Sequence, residues 1–151
     1  MIDVVLQNDD NIEAPSKEDI ELWVNGTLDF LQIQDPSLHE VTVRIVDTDE
    51  SAKLNETYRY KVGPTNILSF PYDVIPGETP DSLGDLIICS KLVNQEASEQ
   101  HKPAIEHWTH LVIHGTLHLL GYDHLTDEEA VEMEALEVAI LANMNIDDPY
   151  Q

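Results

Sequence analysis

Residues 103–124 read PAIEHWTHLVIHGTLHLLGYDH, and the fold turns on how this stretch is placed. Its apolar residues, Ile105, Trp108, Leu111, Val112, Ile113, Leu117, Leu119 and Leu120, go nearly all the way round a helix. That pattern predicts a helix over 103–120, buried in the middle of the fold. Pro103 suits its first turn, where a backbone N–H has no partner, and Gly121 suits the position past its end, where positive φ is wanted. Four histidines, His107, His110, His114 and His118, follow one another at three or four residues and so share one stripe. A lone core histidine needs only a backbone carbonyl as partner; four on one buried stripe need another explanation.

Side chains at i and i+4 have Cβ atoms about 6 Å apart, so two imidazoles can converge on one ion at about 2.0 to 2.1 Å from each nitrogen. A ligand two turns away would lie roughly 12 Å from the first along the axis, so a third must come from outside the helix. The sequence supplies one in His114-x3-His118-x2-Gly121-x2-His124, a ligand spacing shared with the metzincin proteases. Three imidazoles leave a tetrahedral ion one open position, the arrangement of a catalytic zinc site, where the pKa of water falls toward about 7. Hydrolysis is the expected activity. In His-Glu-x-x-His proteases the residue after the first histidine is the general base, and here it is Gly115, which disfavours an ordinary peptidase. The proton would then go to the substrate or to a residue elsewhere, unless no such base is used. His107 and His110 read as core residues or supports behind the ligands, with His110 and His114 an alternative pair.

Outward from this helix, alternation in Ile2, Val4 and Leu6 and in Val41, Val43 and Ile45 predicts two strands with one buried face. The apolar runs 67–70, ended by Pro71, and 83–89, opened through Gly84-Asp85, predict two more. Ser16 caps a helix with Ile20, Trp23, Val24, Leu28 and Leu31 on one face, and Thr48 with Asp49-Glu50 opens another that reaches Arg59 and stops at Gly63-Pro64. Thr126 and Glu129 form a capping box for a last helix. There Asp127, Glu128, Glu129, Glu132, Glu134 and Glu137 read as a solvated face opposite Ala130, Met133, Leu136 and Ile140. Segment 71–82, with three prolines, a glycine and three acids, reads as an exposed loop.

A length of 151 residues with 42% apolar content fits one globular domain over 1–151. The single Cys89 lies in an apolar run and reads as a small buried hydrophobe. A first stretch without a basic region or cleavage site, and no apolar run of membrane length, predict a cytoplasmic protein. The net charge of -23 opposes tight nonspecific binding to phosphate backbones or anionic lipid. It is unevenly spread, however. Between positions 41 and 91 eight acids face five basic residues, Arg44, Lys53, Arg59, Lys61 and Lys91, whereas elsewhere twenty-two acids face only Lys17 and Lys102. Arg59 and Lys61 favour a helix C-terminus, where cations complement the dipole; arginine also presents the planar donor fork best suited to phosphate.

The stretch 114–124, together with Leu54-Asn55 to Tyr58-Arg59, Pro64-Thr65-Asn66-Ile67-Leu68-Ser69-Phe70-Pro71 and Leu83-Gly84-Asp85, resembles the YbeY family of bacterial endoribonucleases, the rRNA maturation factors. The resemblance spans residues 1–148 in order and element lengths. It departs after Arg59, where Tyr60-Lys61-Val62-Gly63 replaces a more basic Gly-Lys-Asp-Lys of many relatives. It implies an α+β domain in which a mostly parallel sheet of about four strands packs on helices, with one zinc ion on His114, His118 and His124 and a functional arginine at Arg59. It further implies cleavage of single-stranded RNA, maturation of the 3′ end of 16S rRNA, ribosome quality control, and as partners the small ribosomal subunit, ribosomal protein S11 and the GTPase Era. Two other readings stay open: a zinc-dependent amide hydrolase, and a ribosome-assembly factor whose metal is structural.

Overall fold

The computed structural model describes residues 1–72, 76 and 81–150. In chain order the elements are β1 (Asp3–Gln7), α1 (Lys17–Phe30), β2 (Glu40–Val46), α2 (Thr48–Arg59), β3 (Ile67–Pro71), β4 (Ser82–Cys89), α3 (Ser90–Glu99), α4 (Ala104–Leu119) and α5 (Asp127–Asn143). They form one α+β domain. The four strands lie in the order β1-β2-β4-β3. β1 and β4 both pair parallel with β2, and β3 is an antiparallel edge beside β4. The sheet is therefore mostly parallel, as expected, and the expected loop over 71–82 is shorter. Pro71 and Ser82 belong to strands, and residues 73–75 and 77–80 lie outside the described residues.

Alternation drives the strands inward: Val41, Val43 and Ile45 of β2 and Leu86 and Ile88 of β4 are buried against Ile20, Val24, Trp108 and Val112. α4 is the central helix, touching β3, β4, α1, α3 and α5. A second apolar cluster, Ile113, Leu117, Met133, Ile140 and Leu141, joins α4 to α5. Cys89 is fully buried. Among the described residues no helix is long and apolar enough to cross a membrane.

Three local expectations change. The cap of α2 is Asp47, whose carboxylate accepts from the Glu50 N–H at 2.8 Å; Thr48 is its first helical residue. Helix α3 has no counterpart among the expected elements, because it leaves β4 without a capping side chain and buries only Ser90, Val93 and Ala97. Its place is set by tertiary bonds, with Trp108 Nε1 donating to Asn94 Oδ1 at 2.9 Å and Glu96 meeting His107. The third change, at Glu137, belongs to the site.

Candidate metal centre and its cavity

The reversal after α4 is a Schellman turn. Gly121, at φ 100°, donates from its N–H to the His118 carbonyl at 3.0 Å, and the Tyr122 N–H donates to the Leu117 carbonyl at 3.0 Å. The turn brings back His124, so that a ring nitrogen from each of His114, His118 and His124 lies within 4.8 Å of the other two. The Nε2 atoms of His114 and His118 are 3.0 Å apart. Two nitrogens on one tetrahedral zinc would be about 3.3 Å apart, given bonds of about 2.05 Å.

The other ring nitrogens of the helical pair are already engaged. His118 Nδ1 meets the Tyr122 carbonyl at 3.0 Å, and His114 Nδ1 meets Glu137 Oε1. A carbonyl and a carboxylate only accept, so each Nδ1 carries the proton and each Nε2 presents its lone pair to the shared point. Burial, with His114 and His124 beside it, pushes the His118 pKa below its ordinary value and keeps the ring neutral, as a metal ligand must be. The donor set, its tautomers and its convergence fit a metal ion, and nitrogen ligands of this kind suit zinc.

Glu137 is fully buried, not part of a solvated face. At 100° per residue it falls between Met133 and Leu141 on the helix circumference, inside the apolar stripe, and the sequence alone carries that placement. Its Oε1 meets His114, with His110 Nε2 at 3.6 Å, and its Oε2 accepts from the Tyr150 hydroxyl. Burial raises its pKa, but the nearby His110 and the hydrogen bonds from His114 and Tyr150 outweigh that and bring it to about 2. His110 turns toward Glu137 and Tyr150 and stands outside the three-nitrogen cluster. His107 is buried behind it against Glu96 at 2.9 Å. Both thus support or pack behind the cluster, as the stripe suggested.

A cavity of about 610 Å³ opens over the three histidines, lined on its other side by Asn55, Arg59, Lys61 and β3. α2 and its loop build that wall: Ser51 Oγ donates to the Thr65 carbonyl at 2.8 Å and Asn55 Nδ2 to the Gly63 carbonyl at 2.9 Å. Arg59 ends the helix, lies over the Phe70 ring at 4.7 Å and donates to the Ser69 carbonyl at 2.8 Å and the Tyr58 carbonyl at 3.3 Å. Of five donors on a guanidinium, others remain for an anion. Gly115 faces β3 and β4 rather than the cavity. A Cβ there would lie 2.8 Å from both Ile67 Cδ1 and Leu86 Cδ2.

A family model described as Endoribonuclease YbeY matches residues 4–145. The match supports an endoribonuclease role in rRNA processing, with RNA as the partner and a phosphodiester as the bond cut. Among solved structures, the solution structure of TM1509 from Thermotoga maritima aligns with a TM-score of 0.59 at 24% identity, over 100% of this chain and 99% of that one. At that identity the likeness is one of fold.

Proposed function

The chain belongs to the YbeY family of endoribonucleases, and we propose that over residues 1–151 it is a zinc-dependent enzyme for single-stranded RNA, with one ion on His114, His118 and His124 and Arg59 on the scissile phosphate. The observation that carries this reading is that three imidazole nitrogens and one guanidinium share a single cavity. When bound, zinc would supply Lewis acidity beside a phosphodiester oxygen. Glu137 and the Tyr122 carbonyl hold two of the rings in the tautomer that binds it. Arg59, steadied by Phe70 and Ser69, offers its remaining donors to a non-bridging oxygen and offsets the charge that grows there in the transition state. The glutamate an amide hydrolase of this spacing would use is replaced by Gly115, which packs tightly against the side chains of Ile67 and Leu86. The family resemblance extends the proposal to the 3′ end of 16S rRNA and to quality control on the small subunit in the cytoplasm, with ribosomal protein S11 and Era as partners.

The test is cleavage of single-stranded and duplex RNA of one sequence by protein whose metal has been identified by elemental analysis. Cutting should be confined to the single strand, stop on chelation, return with zinc, and fall by about a hundredfold in His118→Ala and in Arg59→Ala. Undiminished cutting by both variants would overturn the assignment. Binding of the small subunit without any cutting by zinc-loaded protein would favour the structural-metal reading. A 2′,3′-cyclic phosphate end marks attack by the RNA 2′-hydroxyl, and a 5′-phosphate with a free 3′-hydroxyl marks attack by water.

A further inference from the structure

The metal cluster is supported from behind by groups that make no contact with the cavity. A carboxylate in an apolar cluster costs several kcal/mol unless its oxygens are hydrogen-bonded, and Glu137 sits among Met133, Ile140 and Leu141 with no exposed surface. One oxygen is bonded to His114 and the other to the hydroxyl of Tyr150. Tyr150 is not a core residue: 49% of its surface is exposed. It is held by that hydroxyl, by its ring edge against His110 at 5.5 Å, and by its own N–H on Asp148 Oδ1 at 2.7 Å. Segment 146–150 runs past a second cavity of about 760 Å³ on this side of the molecule, lined by Glu99, Lys102, His110 and Leu141 among others.

We propose that Glu137 and Tyr150 are positioning residues for His114, so that docking of segment 146–150 and binding of metal at the three-histidine cluster favour each other. This rests on the reading that His114, His118 and His124 hold a metal. With Tyr150 docked, one carboxylate oxygen is occupied and the other is left facing His114 Nδ1, which fixes the ring plane and aims Nε2 at the shared point. With Tyr150 undocked, the carboxylate is left a bond short in an apolar setting; it turns toward water or another donor, and the imidazole loses its fixed acceptor. Supports of this kind change metal affinity by about 10- to 100-fold. Coupling between two binding equilibria is reciprocal, so metal must tighten the segment by the same factor that the docked segment tightens metal. A residue that merely stabilised the fold would show no such exchange.

Zinc affinity is measured by competition with a chromophoric chelator for the parent, Tyr150→Phe, Glu137→Gln and His114→Ala, and amide exchange across 146–150 is followed with and without zinc. Tyr150→Phe should weaken zinc by about tenfold and Glu137→Gln by ten- to a hundredfold. Zinc should slow exchange of the segment in the parent and not in Tyr150→Phe. Tyr150 is half-exposed, so its phenylalanine variant keeps the test intact even if Glu137→Gln fails to fold. Parent-like zinc affinity in Tyr150→Phe, with segment exchange indifferent to zinc, overturns the coupling and leaves the three-histidine site standing. A parent that takes up no zinc, or an unchanged affinity in His114→Ala, removes both.

Discussion

Gly121→Ala isolates the turn that assembles the cluster. At φ 100° the residue occupies a conformation that L side chains avoid, yet nothing lies within 4 Å of where a Cβ would stand, so the perturbation is conformational and not steric. Holding an L-residue left-handed costs about 1–2 kcal/mol. The narrower unfolded ensemble of alanine returns about 0.4–1 kcal/mol, leaving a net loss of about 1 kcal/mol. For a chain of this size that lowers the melting temperature of metal-free protein by about 2–4 °C. The larger consequence is local. Relief of the strain moves Tyr122, whose carbonyl accepts from His118 Nδ1 at 3.0 Å, and with it the approach of His124. Zinc affinity should therefore fall by about tenfold, as when a ligand loses its outer partner. Gly121→Asn, which tolerates positive φ, should lose less on both counts. Calorimetry without metal and a chelator competition measure the two effects. An alanine variant that melts and binds zinc as the parent does would refute the claim that the left-handed turn sets the ligand geometry.

Arg59→Lys keeps the charge and loses the planar fork, so RNA cleavage should fall by on the order of tenfold, between the parent and Arg59→Ala; equal activity of the lysine variant would reduce the role to charge alone. Glu137 has a folded pKa of about 2 against an ordinary 4.5, so its ionisation contributes stability above about pH 4.5, which is lost as pH falls toward 2. The contribution is on the order of 3 kcal/mol, and in urea unfolding the gap between parent and Glu137→Gln should close over that window; a gap independent of pH would refute it. Two basic residues line the cavity, Arg59 and Lys61. RNA binding by the cleavage-impaired His118→Ala variant should therefore follow salt with a log–log slope of about −1.4, and a slope steeper than about −4 would mean that phosphate contacts extend well beyond the cavity.

Legible in the sequence is whatever a side chain encodes within a few residues. Ser16 accepts from Asp19, Thr126 and Glu129 form both halves of their box, and Gly121 ends α4 with positive φ. The alternation in 41–45 places β2 correctly because both its faces are judged from one short run. α3 escapes because the groups that fix it lie elsewhere in the chain, in Trp108 and His107, which hold it from α4. Glu137 escapes for a different reason. Its residue type argues for solvent while its angle on the helix argues for the core, and the angle is right because His114 of α4 and Tyr150 hydrogen-bond the carboxylate there, with His110 beside them. The histidine cluster itself is legible from spacing, since a helical pair and a turn of three residues leave few other geometries. That Arg59 shares its cavity is not, because the contact depends on α2 reaching across to β3.

Gly115 joins these observations. In the sequence it marks a missing general base; in the fold it marks where α4 presses on the sheet. A Cβ there would meet Leu86, which is fully buried, and would come within 3.3 Å of Ser69 Oγ. Ser69 is also the residue whose carbonyl anchors Arg59. The close approach of α4 to β3 therefore does two things at once: it crowds position 115 with the side chains of Ile67 and Leu86, and it brings the histidine stripe to the strand that holds the guanidinium. A glutamate at 115 would have to push aside the ends of the Ile67 and Leu86 side chains, which pack α4 against the sheet beside Ser69. An amide hydrolase gains most from a carboxylate base beside the ion, and a phosphodiester gains most from a fixed cation there. Under the proposed assignment of the site, the absence of a carboxylate at position 115 and the fixed guanidinium of Arg59 favour phosphodiester chemistry over the cleavage of peptides.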